Sequence, residues 1–193
     1  RAADFDDTSG RLAVEGAFDG TPSADILVFD LDFVGNSARE TLSAAVGNPD
    51  RMGCVQPHFM PGGRQVFYFR RTGQGFELCV LDLSRKGNSS NGLPYEAPGG
   101  VTMNLTDGAN ALPDAGLSYC PKKRRAYFAG ATSRGLARVC WTTFDGRGAR
   151  AFRREHEHID ALAVRPDGAA VAYGAEGRLW QLAVGSDEAK AIT

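Results

Sequence analysis

No apolar run in the 193-residue sequence approaches the length of about 18 that a membrane helix requires, and its four cysteines show no C-x-x-C spacing. The first absence excludes a helical membrane span. The second removes zinc-knuckle and thioredoxin-like readings, and four cysteines are too few to frame a disulfide scaffold of this length. Charge of one sign is missing too: 22 Lys and Arg stand against 23 Asp and Glu, a net charge of −1. A general nucleic-acid or anionic-membrane surface needs clustered positive charge, so neither is expected. The run "PKKRRAYF" (Pro121–Phe128) is the local exception. There is no G-x-S-x-G elbow, Walker loop, dinucleotide fingerprint or H-E-x-x-H. The chain begins at Arg1 with no signal-peptide pattern, so it is expected to be processed or a piece of something longer.

Glycine and turn signals are abundant. The 24 glycines and 42% hydrophobic content suit one domain with many turns and a real core. Helical periodicity is nearly absent. The best helix candidate, "SARETLSAAV" from Ser37, is equally explained as a loop entering a strand.

Internal similarity carries the architecture. The segment "VRPDGAAVAYG" from Val164 returns as "FMPGGRQVFYF" from Phe59, as "YCPKKRRAYFAG" from Tyr119 and more loosely as "FDDTSGRLAV" from Phe5. The copies are spaced 54, 60 and 45 residues apart. Pro61, Pro121 and Pro166 align, as do Gly63, Lys123 and Gly168. Proline fixes φ at a turn's first corner and glycine tolerates the positive φ that follows. Lys123 in the glycine position predicts a turn of another type. Each copy leads to a further apolar strand: "DILVFDLD", "FELCVLDLS", "ARVCWTTFD" and "RLWQLAVG". A polar link and an apolar–hydroxyl pair or near match follow (Leu42-Ser43, Leu105-Thr106, Phe152-Arg153, Ile192-Thr193). The unit is therefore four strands, repeated four times, which is the signature of a β-propeller blade. The expected fold class is all-β, with blades at about 1–50, 51–111, 112–157 and 158–193.

Pro-Asp-Gly between strands with a later Ile/Leu-Thr ending resembles the TolB-type WD40-like propeller repeat. "VRPDGAAVAYG", "GRLWQLAV" and "AIT" carry the resemblance, as do "FMPGGRQVFYF", "FELCVLDL" and "NLTDG". It covers the chain in two good and two degraded copies. The resemblance implies propellers of six to eight blades, so four blades are either a closed ring or, the favoured reading, a segment of a larger propeller. It also implies a periplasmic or extracellular setting, and functions ranging from binding proteins to domains beside hydrolases.

Candidate site residues fall on the first strands and the loops entering them. His58 lies in "VQPHFMP", while His156 and His158 lie in "REHEHID". In an extended chain His156 and His158 point the same way, so they are expected metal ligands, with Asp160 or His58 completing the set. The competing reading is a solvated charged loop in which Glu155 and Glu157 pair with Arg153 and Arg154. His58, Glu157 and Asp160 are the expected ligand- or partner-binding residues. Cys79 and Cys140 occupy matching positions in adjacent blades, about 10 Å apart by sheet spacing, too far for a disulfide; buried free thiols are expected. "PKKRRAYF" offers four cations to a phosphate or an acidic partner, but with no basic companions in sequence it reads as an exposed turn. Ser84–Gly100 has linker composition, either a disordered excursion or a partner-binding arm, and Asn88 and Asn104 are formal glycosylation acceptors. The leading function is a non-catalytic scaffold that binds a protein partner or sits in a larger assembly, with no cofactor and no nucleic acid. The alternatives are a metal-dependent or carbohydrate-active propeller with histidines at the channel mouth, or the propeller part of a larger hydrolase.

Overall fold

Sixteen strands and no helix make up the described part of the computed structural model, which covers residues 2–16, 25–34, 37–46, 53–87, 99–106, 110–144 and 148–192. They divide between two compact units, residues 1–73 with 78–104 and residues 74–77 with 105–193. In the first unit β1 (Ala3–Asp6), β2 (Arg11–Gly16), β3 (Asp25–Val34) and β4 (Ser37–Val46) pair in chain order. β5 (Cys54–Phe59), β6 (Gln65–Thr72), β7 (Gly75–Gly87) and β8 (Gly99–Asn104) form a second meander. In the other unit β9 (Asn110–Cys120), β10 (Arg125–Ala131), β11 (Ala137–Thr142) and β12 (Ala149–His156) form a third. β13 (Ala161–Val164), β14 (Ala170–Ala175), β15 (Arg178–Ala183) and β16 (Glu188–Ala191) form the last. The start of β7 belongs with the second unit, where Phe76 pairs with Ala111 of β9.

The helix candidate "SARETLSAAV" is β4 along its whole length, paired with β3 from Val34↔Ser37 to Ile26↔Val46. Its end explains why: Ala44, Ala45 and Val46 are all buried, a consecutive run that suits a strand covered on both faces and not one stripe of a helix. Asn88 and most of the Ser84–Gly100 insertion lie outside the described residues; the ends that are described extend β7 and β8, with Gly87 opposite Gly99.

Every meander opens with a hairpin of the same span. Phe5↔Leu12, Phe59↔Val66, Tyr119↔Ala126 and Val164↔Val171 are register partners seven positions apart. Gly63 N–H donates to Met60 O at 3.0 Å and Gly168 N–H to Arg165 O at 2.8 Å, with φ of +61° and +70°. In the third hairpin the bond comes one position later, from Arg124 N–H to Pro121 O at 3.2 Å, and Arg124 takes φ of +50°. Lys123 thus yields the expected different turn: positive φ slides to the next residue while the hairpin keeps its length. Asp167 serves the turn chemistry of Pro-Asp-Gly. Its carboxylate accepts from both Arg165 Nε at 2.8 Å and Ala169 N–H at 2.9 Å. The Arg165 guanidinium, and then the Ala169 amide, hold its carboxyl well below the usual carboxylate range.

Apolar residues meet between the meanders of each unit. Ala13, Ile26, Val28, Ala44 and Val46 pack on Cys54, Val66, Tyr68, Cys79 and Leu81 in the first. In the second, Tyr127, Ala129, Val139 and Phe152 pack on Val171, Tyr173, Trp180 and Leu182. Val66-x-Tyr68 and Val171-x-Tyr173 play the same part in the two cores, so the repeat is one of packing as well as of turns. Burying each of these large side chains contributes about 1.5–3 kcal/mol. The four cysteines are buried free thiols, and burial pushes Cys54 up to about 12 and Cys140 up to about 11, far from the thiolate that reactivity needs.

Gly168 and Gly177 separate backbone strain from packing. Both have left-handed φ, +70° and +69°, but a Cβ at Gly168 would lie 2.5 Å from Lys123 Cγ and 2.8 Å from Cys120 Sγ, whereas at Gly177 it meets nothing within 4 Å. Gly177→Ala is expected to cost about 1 kcal/mol, the backbone contribution alone. Gly168→Ala is expected to cost about 2–3 kcal/mol, because the turn of one meander rests on the next. Equal urea midpoints for the two variants would contradict that packing role.

Candidate functional site

His156 is the last residue of β12 and its side chain is only 1% exposed. Its ring stands edge-on to Tyr173 and Trp180, with centroids 5.3 and 4.9 Å away. Nε2 lies 3.0 Å from Tyr173 Oη, and Nδ1 faces Glu176 Oε1 at 3.4 Å, too long for a formed hydrogen bond. A carboxylate only accepts, so the neutral imidazole that suits both neighbours carries its proton on Nδ1 and accepts from Tyr173 Oη–H at Nε2. Arg154 caps the cluster, its guanidinium 4.5 Å from the Trp180 ring centroid. Burial lowers the His156 pKa, and the Glu176 carboxylate opposes that shift only in part.

His158 does not join His156. Alternation would keep both imidazoles on one side, but β12 ends at His156 and the chain bends at Glu157. The His158 side chain is 58% exposed, with Nε2 3.4 Å from Asp160 Oδ1. The two expected metal ligands have different surroundings: the His156 imidazole is enclosed by aromatic rings, while that of His158 is in solvent. His58 sits on β5 in the first unit, half exposed, with Nδ1 3.4 Å from Asp4 Oδ2 of β1. The same Asp4 oxygen accepts from Phe59 N–H at 2.6 Å, so this carboxylate fixes the β5 backbone. Among the described residues no group of three or more His, Cys, Asp or Glu is gathered to hold a metal ion.

Glu157 and Asp160 are exposed, and both have tethered backbones. Glu157 N–H donates to Glu176 Oε1 at 3.2 Å and Asp160 N–H to Gly174 O at 2.9 Å. Glu176 is the residue that sequence reasoning missed. It opens the two-residue loop between Ala175 and Arg178 with φ of +55°, and Gly177 follows at +69°. Such a type I′ turn prefers Asn or Asp with Gly, so the Glu in "AEG" was the available signal. Its strained backbone places a carboxylate against both His156 and the Glu157 amide.

The buried imidazole predicts a pH dependence. Unfolded His156 takes a proton near the ordinary value of 6.5, while the folded residue resists it because of burial. Its contribution to stability is therefore full above pH 6.5 and is lost as pH falls through the lower folded value. His156→Gln, which keeps a hydrogen-bonding group and removes the titration, is expected to lower stability by about 1–3 kcal/mol above that pH. It is also expected to flatten the decline just below it. A thermal-melting series showing the same decline in wild type and variant would refute the assignment.

No protein-family model matches the chain, and no curated protein matches it by sequence. Solved structures do. TolB from Acinetobacter baumannii is similar over 97% of this chain and 42% of its own, at 18% identity and a TM-score of 0.61. A structure described as a TolB from Agrobacterium tumefaciens is similar over 99% of this chain and 64% of its own, at 14% identity and a TM-score of 0.61. A puromycin-hydrolysing peptidase from Mycobacterium tuberculosis matches over 99% of this chain and 28% of its own, at 9% identity and a TM-score of 0.65. The chain spans less than two thirds of each of these structures. At such identities the likeness is one of fold: the chain folds as TolB-type β-propeller blades.

Proposed function

We propose that these blades act as a rigid, non-catalytic interaction scaffold that offers polar loops to a protein partner or to neighbouring subunits of an assembly. The observation that carries this reading is the link between β12 and β13. Buried His156 and Ile159 bracket exposed Glu157 and His158, and exposed Asp160 follows. Two hydrogen bonds tether the loop to the β14–β15 hairpin, from the Glu157 amide to the Glu176 carboxylate and from the Asp160 amide to the Gly174 carbonyl. A polar loop held in this way loses little conformational freedom on binding, so its contacts are not spent on ordering it. The TolB-like fold agrees with a role in protein interaction.

Photo-crosslinking from position 158 in cells making the full-length protein tests the proposal. One partner is expected to be captured reproducibly, and Glu157→Lys with Asp160→Lys is expected to weaken its binding about tenfold or more with little change in melting temperature. Undiminished capture by that double variant would remove the loop from the interface. Stoichiometric metal in the purified protein, lost on His156→Ala with His158→Ala, would replace the scaffold by the metal-dependent reading.

The likeness to the peptidase favours a second reading, the propeller part of a larger hydrolase. Peptide hydrolysis by the full-length protein that is absent from residues 1–193 alone would support it.

A further inference from the structure

The run "PKKRRAYF" gains in three dimensions the basic companion that it lacks in sequence. Its four cations sit on the β9–β10 turn and the first residue of β10. Lys123 and Arg124, with Thr143 and Phe144 beyond the end of β11, line a cleft of about 280 Å³. Phe144 is set there by an edge contact with Tyr119, ring centroids 5.6 Å apart. On the same hairpin the Arg125 guanidinium lies 3.9 Å from the Trp141 ring centroid, and Arg150 of β12 comes to 5.4 Å from that ring. Lys122 stands apart from this set, within electrostatic reach of Asp167.

Two features set the cluster apart from an ordinary solvated turn. Among the described residues no carboxylate lies within ion-pair distance of Lys123, Arg124, Arg125 or Arg150. Second, Arg124 holds a left-handed φ of +50° at the position that Gly10 fills, at +67°, in the first hairpin. A side chain is thus kept at a backbone position that glycine fills more cheaply. Lys123 and Arg124 border a cleft walled by Phe144, no extended track of cations leads from it, and the chain's net charge is −1. A nucleic-acid backbone needs a long positive surface; an acidic peptide with one apolar side chain needs only what is gathered here.

We propose that this hairpin end is a docking site for an acidic peptide segment. Its carboxylates pair with Lys123 and Arg124, and its apolar side chain packs on Phe144. The site lies at the opposite end of the strands from the Glu157–Asp160 loop and is independent of the role proposed for that loop.

Fluorescence anisotropy with a short labelled peptide of Asp and Glu around one Phe, titrated with the whole chain, tests the site. Binding in the micromolar range is expected, falling steeply with added salt, while a Lys-rich peptide of the same length does not bind. Lys123→Glu with Arg124→Gly is expected to weaken binding about tenfold or more, and Phe144→Ala about threefold or more. Arg124→Gly alone is expected to weaken binding while leaving the melting temperature unchanged or raised, which separates a lost contact from a lost fold. Equal affinity for the double variant and wild type would overturn the proposal. So would a labelled single-stranded oligonucleotide that binds more tightly than the peptide, or complete displacement of the peptide by inorganic phosphate. Glu157→Lys with Asp160→Lys is expected to leave peptide binding unchanged, so failure here is distinct from failure of the loop reading.

Discussion

A sheet whose strands are apolar on both faces must be covered on both, and this requirement organises the molecule. Val66 to Phe69 of β6 and Ala126 to Ala129 of β10 are consecutive buried residues, with the Tyr68 and Tyr127 hydroxyls their only polar side-chain groups. Such strands gain little by standing alone, so each meander depends on a neighbour for its stability. The same requirement sorts the chemistry. A side chain that could react or bind either joins an apolar face, as the four thiols and His156 do, or is placed where the hairpins end.

His156 is the one histidine taken into such a face, and it is kept there by neighbours of several kinds. Tyr173 supplies a hydrogen-bonding hydroxyl, Trp180 an aromatic edge and Glu176 a carboxylate aimed at the remaining nitrogen. An unaccompanied imidazole in an apolar seam would carry an unmet desolvation cost. The cluster instead ties the end of β12 to the β14–β15 hairpin, so one polar group both fixes the packing of two meanders and positions the loop that follows.

The four-strand repeat was legible because its signals are local: proline and glycine at turns, apolar runs between them, and a constant order. The placement of Asp167 in a turn followed from the same signals. What could not be seen depended on where regular structure stops. Alternation keeps His156 and His158 on one face only while the strand lasts, and β12 ends at His156 with a bend at Glu157. Arg150 was invisible as a companion to "PKKRRAYF" because β11 must pair with β12 before it meets Trp141. The length of β4 was obscured for a related reason: its helix-forming residues Ala, Arg, Glu and Leu yield to pairing with β3, as intrinsic preference often yields to tertiary context.

The inner hairpins share one span although their turns differ in where positive φ falls, at Gly62 and Gly63 in one, at Gly168 in another, and one position later at Gly10 and Arg124 in the other two. Strand register is therefore set by the apolar faces, and the exposed residues from Pro121 to Arg124 can vary in chemistry within a fixed length. Each such hairpin tip is an exchangeable cassette. A tip grafted from one blade to another would bring its charges along without shifting a strand, which is how a repeating scaffold can diversify its surface while its interior stays the same.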